Sequence, residues 1–414
     1  MHLIIKNKVY RHLLLSRILD NLGASLYNIV FVVYAATCFK SQIIVSIANI
    51  TMMIPTLFSL LVGIRADKTK QKGRWLITCG FVQASLFTLV GFIINKPSLL
   101  VFAIVCLVNI ISDCLSDYAN GLRLPILQKQ VAKEDLVSAY ASSQFAIYIC
   151  NLLGQTLGIW LLTIANQQFA FIAFINALSF ILASLVLFPI RQDLTYQHTA
   201  LKEEISSSSK QGKDLFLQVK TIFQEQESVH FIPLLLSIML INMLASAMTS
   251  IYNIILLKKS LLGLSYSQGV LMVEVAMIGG LLVGSLSTRD YFAKRSLKTL
   301  VSLAGVMLLL TGLSQLFSLP AIFSLLFLFI TCFLSGKVNP KLNALLLSQL
   351  PSQVLARVSS FLTLLFTLSA PLGVVIFSFI TPFSEKLTWL LFTGLAFLSV
   401  FFTTQKRGWA KTSQ

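Results

Sequence analysis

The sequence predicts an all-α membrane protein of twelve transmembrane helices in two pseudo-symmetric six-helix bundles. Three observations carry this. Twelve apolar runs of about 18–26 residues are each long enough to cross a ~30 Å hydrocarbon core. Lys and Arg are sorted into alternate gaps between those runs. One long polar stretch divides the chain into halves that share short segments at a constant offset.

The runs cover approximately 13–37, 42–64, 75–94, 98–119, 138–163 and 169–188, then 231–256, 265–286, 297–317, 321–339, 358–380 and 387–404. Helices are expected because lipid offers backbone N–H and C=O groups no partner. Pro55, Pro233 and Pro371 fall inside or at the edge of runs, where neighbouring helices can tolerate them. The N-terminal segment (Lys6, Lys8, Arg11, Arg17) and every second gap after it hold 27 of the 32 basic residues. The gaps between those segments hold only Lys40, Lys96, Lys258, Lys259 and Lys386. Cytoplasmic loops retain Lys and Arg, so both termini are expected inside, in the cell (plasma or inner) membrane.

Composition narrows the function classes. Hydrophobic residues make up 56% of the chain and charged ones 11%, outside the range of soluble domains. The net charge of +17 belongs to loop anchors beside an anionic leaflet, not to a nucleic-acid surface. Cys38, Cys79, Cys106, Cys114, Cys150 and Cys332 lie in or at the ends of apolar runs without CxxC or Cys/His spacing, so neither disulfides nor a metal site is expected. The first apolar run is long and lacks a small-residue exit site, so no cleaved signal peptide is read. No phosphate-binding Gly-rich loop, Gly-x-Ser-x-Gly or zinc motif is present, and no enzyme activity or cofactor is expected.

The domains read as residues 1–190, a cytoplasmic linker 191–230 and residues 231–414. Ser206 to Ser209 and Gly212 mark the linker as flexible. Leu215, Val219, Ile222 and Phe223 then recur at helical spacing, predicting a short amphipathic surface helix. Leu60-Leu61-Val62-Gly63 recurs as Leu281-Leu282-Val283-Gly284, and Val137-Ser138 recurs as Val358-Ser359. Both pairs are 221 residues apart at equivalent run boundaries, which argues for a duplicated unit.

The loop Gly63-Ile64-Arg65-Ala66-Asp67-Lys68-Thr69-Lys70-Gln71-Lys72-Gly73-Arg74 resembles the Gly-x-x-x-Asp-Arg-x-Gly-Arg-[Arg/Lys] loop of the major facilitator superfamily, in the position where that family carries it. Gly63 and Asp67 match; Lys68 stands where Arg is usual and the internal Gly is displaced to Gly73. Gly63 is expected to permit close helix approach, and the resemblance implies a conformational latch at Gly63, Asp67 and Arg74. The second copy, Gly284 to Arg295, is degenerate, with Asp290 displaced by two positions. Arg123-Leu124-Pro125 with Glu134-Asp135-Leu136, and Pro340 to Gln349 with Arg357-Val358-Ser359, are similar to the macrolide-type drug efflux branch. Gln155 replaces the Pro of the Gly-Pro element that antiporters carry in the fifth helix.

Two acids lie deep in runs. Asp20 and Glu274 are about 10 Å and about 13 Å from the nearer end of their spans at ~1.5 Å per residue. A charge there costs at least ~2.5 kcal/mol, so it faces a cavity, pairs or takes up a proton. Asp20 has Arg17 one turn away, giving either a structural ion pair or a coupling or substrate role. Glu274, with no basic neighbour in its run, is the favoured proton-coupling residue, against substrate binding or a hydrogen-bonded structural acid. Asp113 and Asp117 share one face near the inner end of the fourth run, and their depth points to latch partners, Arg65 or Arg74. Polar stripes on the fifth run (Gln144, Tyr148, Asn151, Gln155), the seventh (Asn242, Ser246, Thr249, Asn253) and the first (Asp20, Tyr27, Asn28) either bond between helices or line a wet pathway. Gly154/Gly158 and Gly280/Gly284 predict close helix packing.

The reading is a secondary active transporter, a monomer in the lipid bilayer driven by the proton-motive force. It is expected to act as an antiporter exporting a small amphipathic or cationic molecule by alternating access. The alternatives are an uptake permease or uniporter, and a transport-inactive accessory or immunity protein.

Overall fold

In the computed structural model, residues 7–132, 135–194, 231–287, 290–349 and 352–404 are described. Twelve long helices make up the fold, and no strand occurs among the described residues. They are α1 (Lys8–Phe39), α2 (Gln42–Lys68), α3 (Lys72–Ile93), α4 (Leu99–Gln130), α5 (Leu136–Ile164), α6 (Phe169–Leu187), α7 (Phe231–Ile255), α8 (Tyr266–Leu286), α9 (Leu297–Leu316), α10 (Ala321–Gln349), α11 (Ser352–Ile380) and α12 (Glu385–Thr404). Eleven are long and apolar enough to cross a membrane; in α11 the apolar part is Leu364–Ile380. The chain divides into two compact units, Met1–Leu201 with Tyr266–Leu271, and Lys202–Ser265 with Met272–Gln414.

Several helices outrun their apolar spans. α4 continues to Gln130 through Pro125, so Arg123 lies within a helix and not in a loop. Helix geometry, unlike hydropathy, does not stop where the hydrocarbon ends. The amphipathic segment 215–223 lies outside the described residues.

In the first unit α1 packs on α5 and α6, α3 on α6 and α4, and α2 on α4. One of its cores joins Val9, Leu13, Ala66, Leu76, Leu122, Ile126 and Ile190. Gly154 and Gly158 bring α5 onto α1: a Cβ at Gly154 would stand 2.8 Å from the Leu22 carbonyl oxygen, and one at Gly158 2.6 Å from that of Leu26.

In the second unit α7 packs on α11 and α12, and α9 on α12 and α10, repeating the pairings of the first unit six helices later. Gly280 and Gly284 set α8 against the Phe329 and Phe333 backbone of α10. Buried polar groups pair across helices: Tyr252 Oη shares a hydrogen bond with Ser324 Oγ (2.7 Å), which also accepts from Gln315 Nε2 (2.8 Å).

Candidate functional site

A cleft of about 280 Å³ opens inside the first unit, with Asp20, Asn28, Asp113, Asp117, Arg123 and Asn151 among its lining residues. Burying three carboxylates and a guanidinium together demands compensation. Arg123 from α4 forms an ion pair with Asp20 of α1, the two side chains 10% and 18% exposed. Its Nη1 donates to Asn120 Oδ1 (3.3 Å) and its Nη2 to Ser16 Oγ (3.2 Å), which fixes the guanidinium between the helices. A pair with Arg17 was one of two readings of Asp20, beside a coupling or substrate role; the tertiary fold supplies Arg123 as its partner because α4 crosses α1 at that depth.

Asp113 and Asp117 correct a second expectation. They face the cleft, and among the described residues neither forms a salt bridge with Arg65 or Arg74. Both acids are half-buried on one face of α4. Gln83 of α3 holds that turn in place, donating from Nε2 to the Ser112 carbonyl (3.0 Å) and to Ser116 Oγ (2.9 Å). With all groups ionised, three carboxylates face one guanidinium, leaving the cleft two charges negative. A smaller cavity of about 210 Å³ shares Asn120 and Arg123 with it and is lined also by Arg17 and Gln144. Arg123 therefore stands at the boundary of both.

The polar stripes divide. Asn28 and Asn151 reach the cleft, Asn151 Oδ1 accepting from Ser25 Oγ at 2.7 Å. Tyr27 does not: it is buried with its ring edge-on to Phe87 at 4.6 Å. Gln155 is half-buried, and its buried Oε1 accepts no hydrogen bond. In the second unit Asn242 is half-buried but Asn253 is 2% exposed, a core residue. Thr249 Oγ1 donates to Met277 Sδ at 3.5 Å, tying α7 to α8. Glu274 is half-buried on α8 within electrostatic reach of Cys332 on α10.

The loop after α2 differs from its expected form. Gly63 has nothing within 4 Å of where a Cβ would be, so no close approach is made there; Gly121 makes it instead, a Cβ there standing 2.8 Å from Ala66 Cβ. Asp67 and Arg74 are exposed. The buried group is Lys72, whose ammonium donates to the carbonyls of Ala66 (2.6 Å) and Asp67 (2.9 Å) and so closes the end of α2. At the equivalent end of α8, Lys337 reaches from α10 to the carbonyls of Gly284 (3.2 Å) and Ser287 and pairs with Asp290 at 2.8 Å. The copy that reads as degenerate in sequence thus carries the ion pair.

The signal for the missed site residues was present. Asp113, Ser116, Asp117, Asn120 and Arg123 form one polar stripe at helical spacing, visible only if the helix is taken past its apolar part.

Twelve long helices in two units with matching internal pairings, and buried charge gathered in a polar cleft, define a multi-pass membrane transport protein. The Major Facilitator Superfamily profile matches residues 13–374, and the chain belongs to that family, whose members are transporters and not enzymes. No curated protein matches the chain. Among solved structures it is similar to the nucleoside transporter NupG (14% identity, 95% of this chain and 98% of that one, TM-score 0.66). It is also similar to the POT family transporter PepTSo (11%, 96% and 96%, 0.66). A bacterial homolog of the human lysosomal transporter Spinster, inward-facing and unoccupied, gives 12%, 95% and 93%, and 0.62. At these identities the likeness shows the fold.

Proposed function

We propose that this protein is a proton-coupled exporter of small cationic or amphipathic compounds, working by alternating access as a monomer in the cell membrane with both termini cytoplasmic. The observation that carries the reading is the cleft in which Asp20, Asp113 and Asp117 face the single guanidinium of Arg123. Arg123 offsets Asp20, which leaves Asp113 and Asp117 to be neutralised by something else. A solute cation or a proton can do so, and competition between the two for the same carboxylates couples their movements. A one-for-one exchange of proton and monovalent cation moves no net charge, so the pH difference drives it, and one pH unit (~1.4 kcal/mol) sustains a roughly tenfold cation gradient. Glu274 on α8 is a second coupling candidate.

Everted vesicles with an acid lumen test this reading. They are expected to accumulate ethidium, and Asp113→Asn is expected to abolish the accumulation. Ethidium movement indifferent to the pH gradient would sink proton coupling, and movement only into right-side-out vesicles would reverse the direction.

A further inference from the structure

On a different face of α4, a third cavity of about 860 Å³ runs between α2, α4 and the start of α3. Its wall is apolar and exposed: Phe58 is 45%, Leu61 63% and Trp75 50% accessible, with Ile111 and Leu115 opposite. At one end stand Arg65, Lys68 and Lys70. Among the described residues these three side chains have no ion-pair partner, and Lys72 already closes the carbonyls at the end of α2, so the helix terminus does not consume them. Thr69 Oγ1 and Tyr118 Oη share a 2.7 Å hydrogen bond that pins the basic loop to α4. From Arg65 to Phe58 the wall runs seven residues, about 10 Å along the helix.

We propose that this groove holds an acyl chain of one anionic phospholipid, whose phosphate is bound by Arg65, Lys68 and Lys70. An amphiphile with an anionic head and a hydrocarbon tail matches both ends of the cavity; a soluble anion would leave the apolar wall uncovered. Basic pockets between transmembrane helices bind acidic headgroups for this reason. Trp75 sits where an indole favours the membrane interface. The only acid in the loop, Asp67, leaves its charge balance positive. The inference rests on the chain crossing a bilayer and is independent of what it carries.

Trp75 reports on the site directly. The protein is reconstituted in phosphatidylcholine vesicles doped with brominated phosphatidylglycerol or, at equal mole fraction, brominated phosphatidylcholine. The fluorescence lost in Trp75→Phe isolates that residue's signal. Brominated phosphatidylglycerol is expected to quench Trp75 more strongly, and each neutralisation in R65Q/K68Q/K70Q to lower the preference roughly fivefold. Equal quenching by the two lipids, or a preference unchanged in the triple variant, overturns the proposal. Displacement by saturating glycerol 1-phosphate would assign the bases to a soluble phosphate and overturn it too.

Discussion

Arg123, twenty-four residues into α4, forms an ion pair with Asp20 of α1, and the two charges hold each other inside the first unit. Removing one partner from such a pair strands the other in a medium that cannot solvate it. Arg123→Gln is therefore expected to destabilise the protein by about 3 kcal/mol. The double variant Asp20→Asn/Arg123→Gln should recover most of that loss, while transport stays impaired. Unfolding of the purified variants in nanodiscs reads the first effect. A double variant no more stable than the single one would show that the pair is not what stabilises the site.

Asp113 and Asp117 share the cleft without a salt bridge. Under the proposed mechanism Asp117→Asn lowers proton-driven ethidium transport at least tenfold with no loss of inserted protein, since a neutral amide at a half-buried position relieves charge burial. Initial rates in everted vesicles, normalised to protein amount, check this. Unchanged rates would remove Asp117 from the coupling machinery.

Glu274 tests whether the second unit contributes an acid of its own. Glu274→Gln is expected to uncouple ethidium movement from the pH gradient while leaving exchange down an ethidium gradient in place. Full proton-driven transport in the variant would leave the acids of the first unit as the whole device.

Lys72 bonds two terminal carbonyls of α2, and its loss removes two charge-assisted hydrogen bonds, leaving the Ala66 carbonyl only the Thr69 N–H (3.2 Å). Lys72→Met is expected to cost about 1–3 kcal/mol. Lys40→Met, at an exposed position, should stay within roughly 0.5 kcal/mol. Thermal unfolding of the pair decides whether the buried ammonium is the cap the geometry indicates.

Gly63 has free space around it whereas Gly158 has none. Gly63→Ala is expected to fold as well as the parent or better, by up to ~1 kcal/mol of helix propensity. Gly158→Leu should cost about 1–3 kcal/mol by forcing α5 off α1. Expression and unfolding temperature measure both. A Gly63→Ala protein that folds but does not transport would reveal a need for the glycine in another conformation.

Much of the architecture was legible in the sequence. A transmembrane helix is written in one dimension, as a run of apolar residues of fixed length, and eleven of the twelve helices meet that criterion by themselves. The glycine pairs were equally plain, because Gly154/Gly158 and Gly280/Gly284 each put two missing side chains on one face. Helix ends were less legible: hydropathy marks where hydrocarbon stops, and α4 runs on beyond it far enough to carry Arg123 into the site. The loop after α2 shows the same limit, since its matching residues Asp67 and Arg74 are exposed while unremarked Lys72 is buried.

The sequence by itself determined that the chain holds many spans long and apolar enough to cross a membrane and roughly where each helix lies, because these depend on local composition and spacing; the family was legible as a resemblance in the loop after the second span. The tertiary structure alone decided that Asp20 meets Arg123 instead of Arg17, that Asp113 and Asp117 face a cleft, and that Tyr27 and Asn253 are buried. The physical reason is that a buried charge is stabilised by whichever opposite charge lies nearest in space. Asp20 and Arg123 are 103 residues apart in the chain, so only the packing of α4 against α1 could bring them together.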